Sequence, residues 1–138
     1  MALTTTTQEV AGRVPITVLV LDGELDASNF ERVVDEARGL YDRGTRNLLL
    51  DLGRLTFIAS SGLVALHSIV RILHGEQPDD LEAGWDVLHH LGDDAADDTQ
   101  RDVQLAAPQA SVSRVLQRTG MDRLFVIHES RDAGIAAF

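Results

Sequence analysis

The first third of the chain shows two patterns of hydrophobic positions, one typical of strands and the next typical of a helix. Thr5 to Val10 and Ile16 to Leu21 are rich in strand-forming residues, and a turn at Gly12 separates them, which predicts a hairpin. The apolar residues that follow recur at helical spacing and predict a helix that begins near Ser28 and ends at Gly44.

Both long helices predicted in the first half of the chain begin with residues that commonly cap helices. Ser28 and Glu31 have the spacing of a capping box at the first helix. The second helix is predicted from about Ser61 to Leu73, and Ser60 or Ser61 is placed to cap it.

The remaining elements alternate between strand and helix. Asn47 to Asp51 contains three consecutive leucines, as expected of a central strand covered on both faces. Later in the chain the pattern predicts a strand at Val103 to Ala106, a helix at Pro108 to Thr119, a strand at Leu124 to Ile127 and a last helix at Ser130 to Ala137. The fold class is therefore α/β, with a mostly parallel central sheet of four to five strands, an antiparallel N-terminal strand and about four helices.

Composition excludes several kinds of chemistry. The chain has 138 residues and no cysteine, so disulfides and thiolate metal sites are absent. All 12 basic residues are arginine, which excludes a lysine Schiff base and a P-loop lysine. The net charge of −10 disfavours binding to nucleic acid.

Most of the negative charge lies in one segment, residues 76–101. This segment contains nine acidic residues and one arginine, which leaves the rest of the chain with a charge of about −2 out of −10. We interpret it as an acidic insertion, with a short amphipathic helix at about Asp79 to Leu91, within one domain that spans residues 1–138. Neither a basic N-terminus nor a long apolar run is present, so we expect a cytoplasmic protein with no membrane segment.

Two motifs follow strands of the predicted sheet. Gly23-Glu24-Leu25-Asp26 lies between the second strand and the first helix, and the segment from Phe57 to Leu63 follows the central strand. Because both lie at carboxyl ends of strands, where open α/β sheets place their sites, we expect them to form one surface.

These two motifs, together with Leu50-Asp51-Leu52, the block from Ala106 to Leu116 and Thr119-Gly120-Met121-Asp122, resemble the STAS domain of bacterial anti-sigma factor antagonists. The resemblance covers nearly all of the chain except residues 75–101. It implies a non-enzymatic regulatory domain that binds an anti-sigma factor serine kinase when unphosphorylated and is released by phosphorylation of one serine.

The resemblance also implies the site residues. Ser60 matches the phosphoacceptor, with Ser61 as second choice, and the residues expected to contact a partner or a nucleotide are Asp26, Ala59, Ser61, Gly62 and Leu63. No catalytic residue, metal or cofactor is implied. The expected partner is the kinase, with nucleotide as a further candidate ligand, no nucleic acid and no membrane, and the expected state is a monomer or weak dimer.

Other interpretations of these residues stay open at the level of sequence. Ser60 and Ser61 are also ordinary helix caps, and Asp26 is equally suited to fix a turn before the first helix. Family members that are good kinase substrates commonly carry aspartate before the acceptor, whereas this chain has Ala59. The alternative function is therefore a STAS scaffold, or a nucleotide- or ligand-binding module of a stress-signalling or transporter-associated system, that is not switched by phosphorylation.

Overall fold

A five-stranded sheet in the order β1-β2-β3-β4-β5 forms the centre of the computed structural model, which describes residues 2–76 and 100–138. β1 is antiparallel to β2, and the other neighbours are parallel, so the mixed sheet predicted from the sequence is confirmed. The strands are β1 (Leu3–Ala11), β2 (Pro15–Leu25), β3 (Leu48–Ile58), β4 (Gln100–Ala106) and β5 (Phe125–His128).

Four α-helices and one short 3-10 turn accompany the sheet in the described part of the chain. The helices are α1 (Phe30–Asp42), α2 (Ser60–Leu73), α3 (Ala110–Thr119) and α4 (Arg131–Ala137), and the 3-10 turn is Met121–Arg123. Ser130 caps α4, because its Oγ accepts a hydrogen bond from the amide of Ala133 at 3.1 Å.

The sheet has two unequal apolar faces. The larger core lies between the sheet and α1, α2 and α3, and the leucines at alternate positions of β3, such as Leu48 and Leu50, point into it. Leu49 points to the other face, where Ile16 and Val18 meet Ile135 of α4. The three consecutive leucines thus belong to a strand buried on both faces, as their sequence predicts.

β2 and β3 are longer than the sequence pattern predicts. They continue to pair from Asp22 opposite Arg54 to Leu25 opposite Ile58, so most of the Gly23–Asp26 motif and the start of the Phe57–Leu63 motif lie in strands rather than in loops. Two register irregularities and several polar residues interrupt the alternation that marks a strand.

The predicted capping box at α1 is wrong. Asn29, and not Ser28, is the N-cap, and no side chain of the described residues bonds the first amides of the helix. Asn29 is instead used within the preceding turn: its Oδ1 accepts from the amide of Asp26 at 3.0 Å, and its Nδ2 donates to the carbonyl of Glu24 at 2.8 Å. These local bonds move the start of the helix to Phe30.

The amphipathic helix predicted at about Asp79 to Leu91 lies outside the described residues, as does nearly all of the 76–101 segment. In the described ranges, every helix is too short or too polar to cross a bilayer.

Candidate functional site

The ends of β2 and β3 bring the two sequence motifs together. Leu25 and Ile58 are register partners, and the amide of Ala59 donates to the carbonyl of Leu25 at 2.9 Å. The backbone therefore joins the last residues of one motif to the first residues of the other. This confirms that the motifs share one edge of the sheet, as expected from the rule for carboxyl ends of parallel strands.

The serine pair lies at the start of α2 but does not cap it. Ala59 occupies the N-cap position, and its carbonyl accepts hydrogen bonds from the amides of Gly62 at 2.9 Å and Leu63 at 3.2 Å. Ser60 is the first helical residue and is exposed, whereas Ser61 is half-buried. Since a capping side chain must precede the helix, the interpretation of either serine as its cap is wrong.

Alanine at the N-cap leaves the start of α2 open. An alanine side chain has no acceptor for the first amides of a helix, and the amides of Ser60 and Ser61 have no hydrogen-bond acceptor within the described ranges. The Ser60 hydroxyl is likewise unbonded there. An exposed hydroxyl thus lies beside unsatisfied N–H groups at the positive end of a helix dipole.

Gly62 and Leu63 lie inside the protein rather than on its surface. Leu63 is 2% exposed, and a Cβ added to Gly62 would lie 2.7 Å from Cγ1 of Ile58 and 2.9 Å from Cγ of Leu25. Gly62 therefore lets the first turn of α2 pack directly on the two strand ends. These two residues position the serine pair, while Ser60 and the partly exposed Ala59 are accessible to a partner.

The glycine that opens the first motif has a structural role as well. Gly23 has a φ of +123°, and a Cβ there would lie 2.2 Å from the carbonyl oxygen of Ala2. Only glycine fits this conformation beside the start of β1. Gly23 thus sets the path of the strand that carries Glu24 and Asp26.

The surface next to Ser60 includes two residues outside the predicted site set. Phe57 is 48% exposed, which is unusual for a large aromatic residue, and its register partner is Glu24. The Oε2 atom of Glu24 is buried and has no hydrogen-bond partner in the part of the chain that the structure describes. The sequence pointed to these residues through their position in the two motifs. It did not indicate their exposure, because exposure depends on where neighbouring elements pack.

The free edge of β3 below this surface is supported by α3. β4 pairs with β3 only as far as Asp51, so the later part of β3 extends beyond its neighbour. Side chains replace the missing strand: Nε2 of Gln109 donates to the carbonyl of Gly53 at 2.9 Å, and Oγ of Ser111 donates to that of Thr56 at 3.1 Å. These bonds hold the strand that leads to the serine pair.

Asp26 fixes the turn between β2 and α1. Its Oδ1 accepts from Oγ of Ser28 at 2.5 Å and from the amide of Ser28 at 2.9 Å. The hydroxyl of Ser28, followed by its amide, lowers the pKa of Asp26, because both bonds favour the charged carboxylate. The turn-fixing interpretation of Asp26 is confirmed, and the residue is half-exposed at the same edge as Ser60.

Comparisons with known proteins identify the family. A profile described as "Mlab, STAS domain" matches residues 11–79, half of the chain, including both motifs. This chain belongs to the STAS domain family. The STAS domain is 26% identical over 121 residues to a candidate anti-sigma factor antagonist, BtrV, of Bordetella bronchiseptica, with coverage of 88% of this chain and 84% of that protein.

Solved structures show the same fold. The STAS domain superposes on an anti-sigma factor antagonist from Mycobacterium paratuberculosis with a TM-score of 0.67 and 18% identity, over 99% of this chain and 93% of that one. It superposes on the phosphorylated form of the Bacillus cell fate determinant SpoIIAA with a TM-score of 0.55 and 18% identity, over 90% of each chain.

In the described ranges of this STAS domain, no group of three or more histidine, aspartate or glutamate side chains is placed to hold a metal ion. The edge presents an exposed hydroxyl, an exposed aromatic ring and carboxylates.

Ser28→Ala is expected to raise the pKa of the Asp26 carboxyl towards its ordinary value, because it removes the hydroxyl that is the main cause of the lowered pKa. Because the pKa of Asp26 is lowered in the folded protein, its carboxylate stabilises the turn at neutral pH. This stabilisation is lost as the pH falls through the folded-state pKa. Carboxyl chemical shifts measured by NMR across a pH titration check this. Ser111→Ala is the control, and an Asp26 titration that is equal in wild type and Ser28→Ala contradicts the assignment.

Proposed function

We propose that this STAS domain is an anti-sigma factor antagonist that binds a serine-kinase anti-sigma factor when it is unphosphorylated. Phosphorylation of Ser60 ends the binding, which leaves the kinase free to hold its sigma factor again. The domain itself acts by association and not as an enzyme. The observation that carries the proposal is the exposed hydroxyl of Ser60 at the first residue of α2, which has no hydrogen-bond partner among the described residues and lies at the edge where the two motifs meet.

Exposure at this point suits a kinase substrate. A kinase has to reach the hydroxyl with its active site, and Ser60 is exposed whereas Ser61 is half-buried and Gly62 is buried. The start of a helix also suits the product, because a phosphate there interacts with unsatisfied amides and with the positive end of the helix dipole.

The charges around Ser60 explain how a phosphate acts on binding. The segment joined to Ala59 carries Glu24 and Asp26, and the pKa of Asp26 is lowered, so this carboxyl is charged at neutral pH. A phosphate adds close to two further negative charges. A partner whose surface is complementary to the unmodified edge is then repelled by the added negative charge wherever it places its own acidic groups. Removing water from the phosphate in the contact also costs binding free energy.

Phe57 supplies the apolar part of the same surface. Aromatic residues, including phenylalanine, are enriched at protein–protein interfaces relative to the rest of the surface. Its position two residues before Ala59 places it at the end of the same strand. The kinase-facing surface thus combines an aromatic contact with the residue that is modified.

The named relatives support this function. BtrV is described as a candidate anti-sigma factor antagonist and the Mycobacterium paratuberculosis protein as an anti-sigma factor antagonist, and SpoIIAA has been solved in a phosphorylated form. We extend that description to this chain because the fold agrees and because Ser60 has the position that the sequence resemblance implies for the acceptor.

Incubation with the cognate kinase and ATP tests the assignment of the acceptor. We expect phosphate on Ser60 when the modified protein is digested and mapped by mass spectrometry, no modification of Ser60→Ala, and normal modification of Ser61→Ala. Ala59→Asp is expected to be phosphorylated faster, because it restores the residue that good substrates of the family carry. Phosphate on another residue, or none, refutes the switch.

The alternative is a STAS domain that binds its partner without being switched. Ala59 favours it, since the chain lacks the acidic residue that precedes the acceptor in good substrates of the family. In that case the partner complex forms equally well before and after treatment with the kinase.

A further inference from the structure

β1 is one of the two edge strands of the sheet, and within residues 2–76 and 100–138 no strand pairs with its outer side. It runs for nine residues, Leu3–Ala11, and pairs with β2 without a register shift. Its sequence contains no proline, lysine or arginine, which are the residues that commonly keep an exposed strand edge from pairing. An edge of this length and regularity is open to the addition of another strand.

The backbone groups that face outward can be assigned from the hydrogen bonds. The amide of Glu24 donates to the carbonyl of Ala2 at 3.3 Å, so these two residues form a hydrogen-bonded pair between the strands. In an antiparallel pair such residues alternate with outward-facing ones. Arg32 agrees with this, because its guanidinium donates to the carbonyl of Leu3. That carbonyl is therefore already bonded, and the outward backbone groups left for another strand are the amide of Leu3 and those of Thr5, Thr7 and Glu9. The outward-facing residues are Leu3, Thr5, Thr7 and Glu9.

We propose that this edge binds the same edge of a second copy of the chain, in antiparallel orientation about a two-fold axis at Thr6. Thr5 of one copy then lies opposite Thr7 of the other, and the two outward-facing residues exchange backbone hydrogen bonds. The two five-stranded sheets become one continuous sheet across the axis. This proposal does not rest on the function proposed for Ser60.

The side chains of β1 match this arrangement. Thr6 faces Thr6 and Thr5 faces Thr7, and threonine pairs directly opposite each other stabilise antiparallel strands. Thr6 and Thr7 are exposed, so pairing does not displace an existing contact of their side chains. A second copy presents threonines at all of these positions by symmetry.

Charge favours this register over the one in which the axis lies at Thr7. With the axis at Thr6, Glu9 of the second copy lies opposite Leu3. The carbonyl of Leu3 is bonded by the exposed Arg32, so the carboxylate of Glu9 lies near the guanidinium of Arg32 at both ends of the contact. A shift of the axis to Thr7 instead places Glu9 opposite Thr5, whose hydroxyl is bonded to Glu36 at 2.6 Å. Like charges then meet, which disfavours that register.

Sedimentation equilibrium of the full chain from about 10 µM to 1 mM tests the proposal. Because a single strand pair buries a small area, we expect a reversible dimer with a dissociation constant on the order of 0.1 mM. Thr7→Pro is expected to weaken it at least about tenfold, since it removes an outward-facing amide and leaves the amides that bond β2 intact. Thr7→Val keeps that amide and should leave the dimer in place.

A charge exchange tests the register even if Thr7→Pro does not fold. Glu9→Arg is expected to weaken the dimer about tenfold, and Glu9→Arg combined with Arg32→Glu should restore it. Ser60→Asp should leave the dimer unchanged. A chain that stays monomeric at 1 mM, or a dimer that is insensitive to both Thr7→Pro and Glu9→Arg, overturns the proposal.

Discussion

Ser60→Asp is expected to weaken binding to the anti-sigma factor kinase about 100-fold. Aspartate places a permanent negative charge at the first residue of α2, where the wild-type hydroxyl is exposed and uncharged. Like charges or a desolvated carboxylate in a contact cost several kcal/mol, and about 2.7 kcal/mol corresponds to a factor of 100 in the dissociation constant. Titration calorimetry with the purified kinase measures the difference directly.

Ser60→Asn separates charge from size in this experiment. Asparagine has nearly the shape of aspartate but no charge, so the electrostatic account predicts that it binds close to the wild-type affinity. If Ser60→Asn and Ser60→Asp lose the same affinity, the effect is steric and the switch by charge is wrong. If neither loses affinity, the site belongs to a scaffold that is not switched, or the kinase contacts another surface.

Gly62→Ala is expected to lower the free energy of unfolding by about 1 to 3 kcal/mol, the typical cost of overpacking a core. The added methyl group would lie 2.7 Å from Ile58 and 2.9 Å from Leu25, well inside normal contact distances. Both neighbours are buried strand ends, so they have little room to move. Urea denaturation followed by circular dichroism measures the change.

Gly39→Ala is the matched control, because Gly39 also lies in a helix but has open space around the position of a Cβ. Alanine there is expected to stabilise the protein by about 0.5 to 1 kcal/mol through helix propensity. A Gly62→Ala protein that is as stable as Gly39→Ala would show that α2 does not pack as closely on the two strand ends as the structure indicates.

The sheet and its helices were predictable from the sequence because their apolar periodicity is strong. The leucine run of β3 indicated a central strand covered on both faces, and the apolar spacing from Phe30 to Leu40 indicated α1. The lengths of β2 and β3 were not predictable, since the residues beyond Asp22 and Arg54 are mostly polar or irregular in register. There the strands persist because they pair with each other and not because their own pattern demands it.

In the candidate site, too, some features were predictable from the sequence and others were not. The motifs and the resemblance that they carry named Ser60 and Asp26 from the sequence alone. Whether Ser60 caps the helix, or is its first exposed residue, depends on the backbone angles at Ala59, which follow from the bond between Ala59 and the end of β2. Gly62 likewise became a packing residue only once Leu25 and Ile58 were placed beside it.

The sequence by itself thus determined the order of strands and helices, the neutral body of the domain apart from its acidic segment, and the serine that is the candidate for modification. These are local properties, set by side-chain periodicity, composition and motif. Only the tertiary structure decided that Phe57 is exposed, that Gly62 and Leu63 are buried, and that no strand of the described residues pairs with the outer edge of β1. Each of these depends on contacts between residues distant in the chain, which periodicity along the chain does not encode.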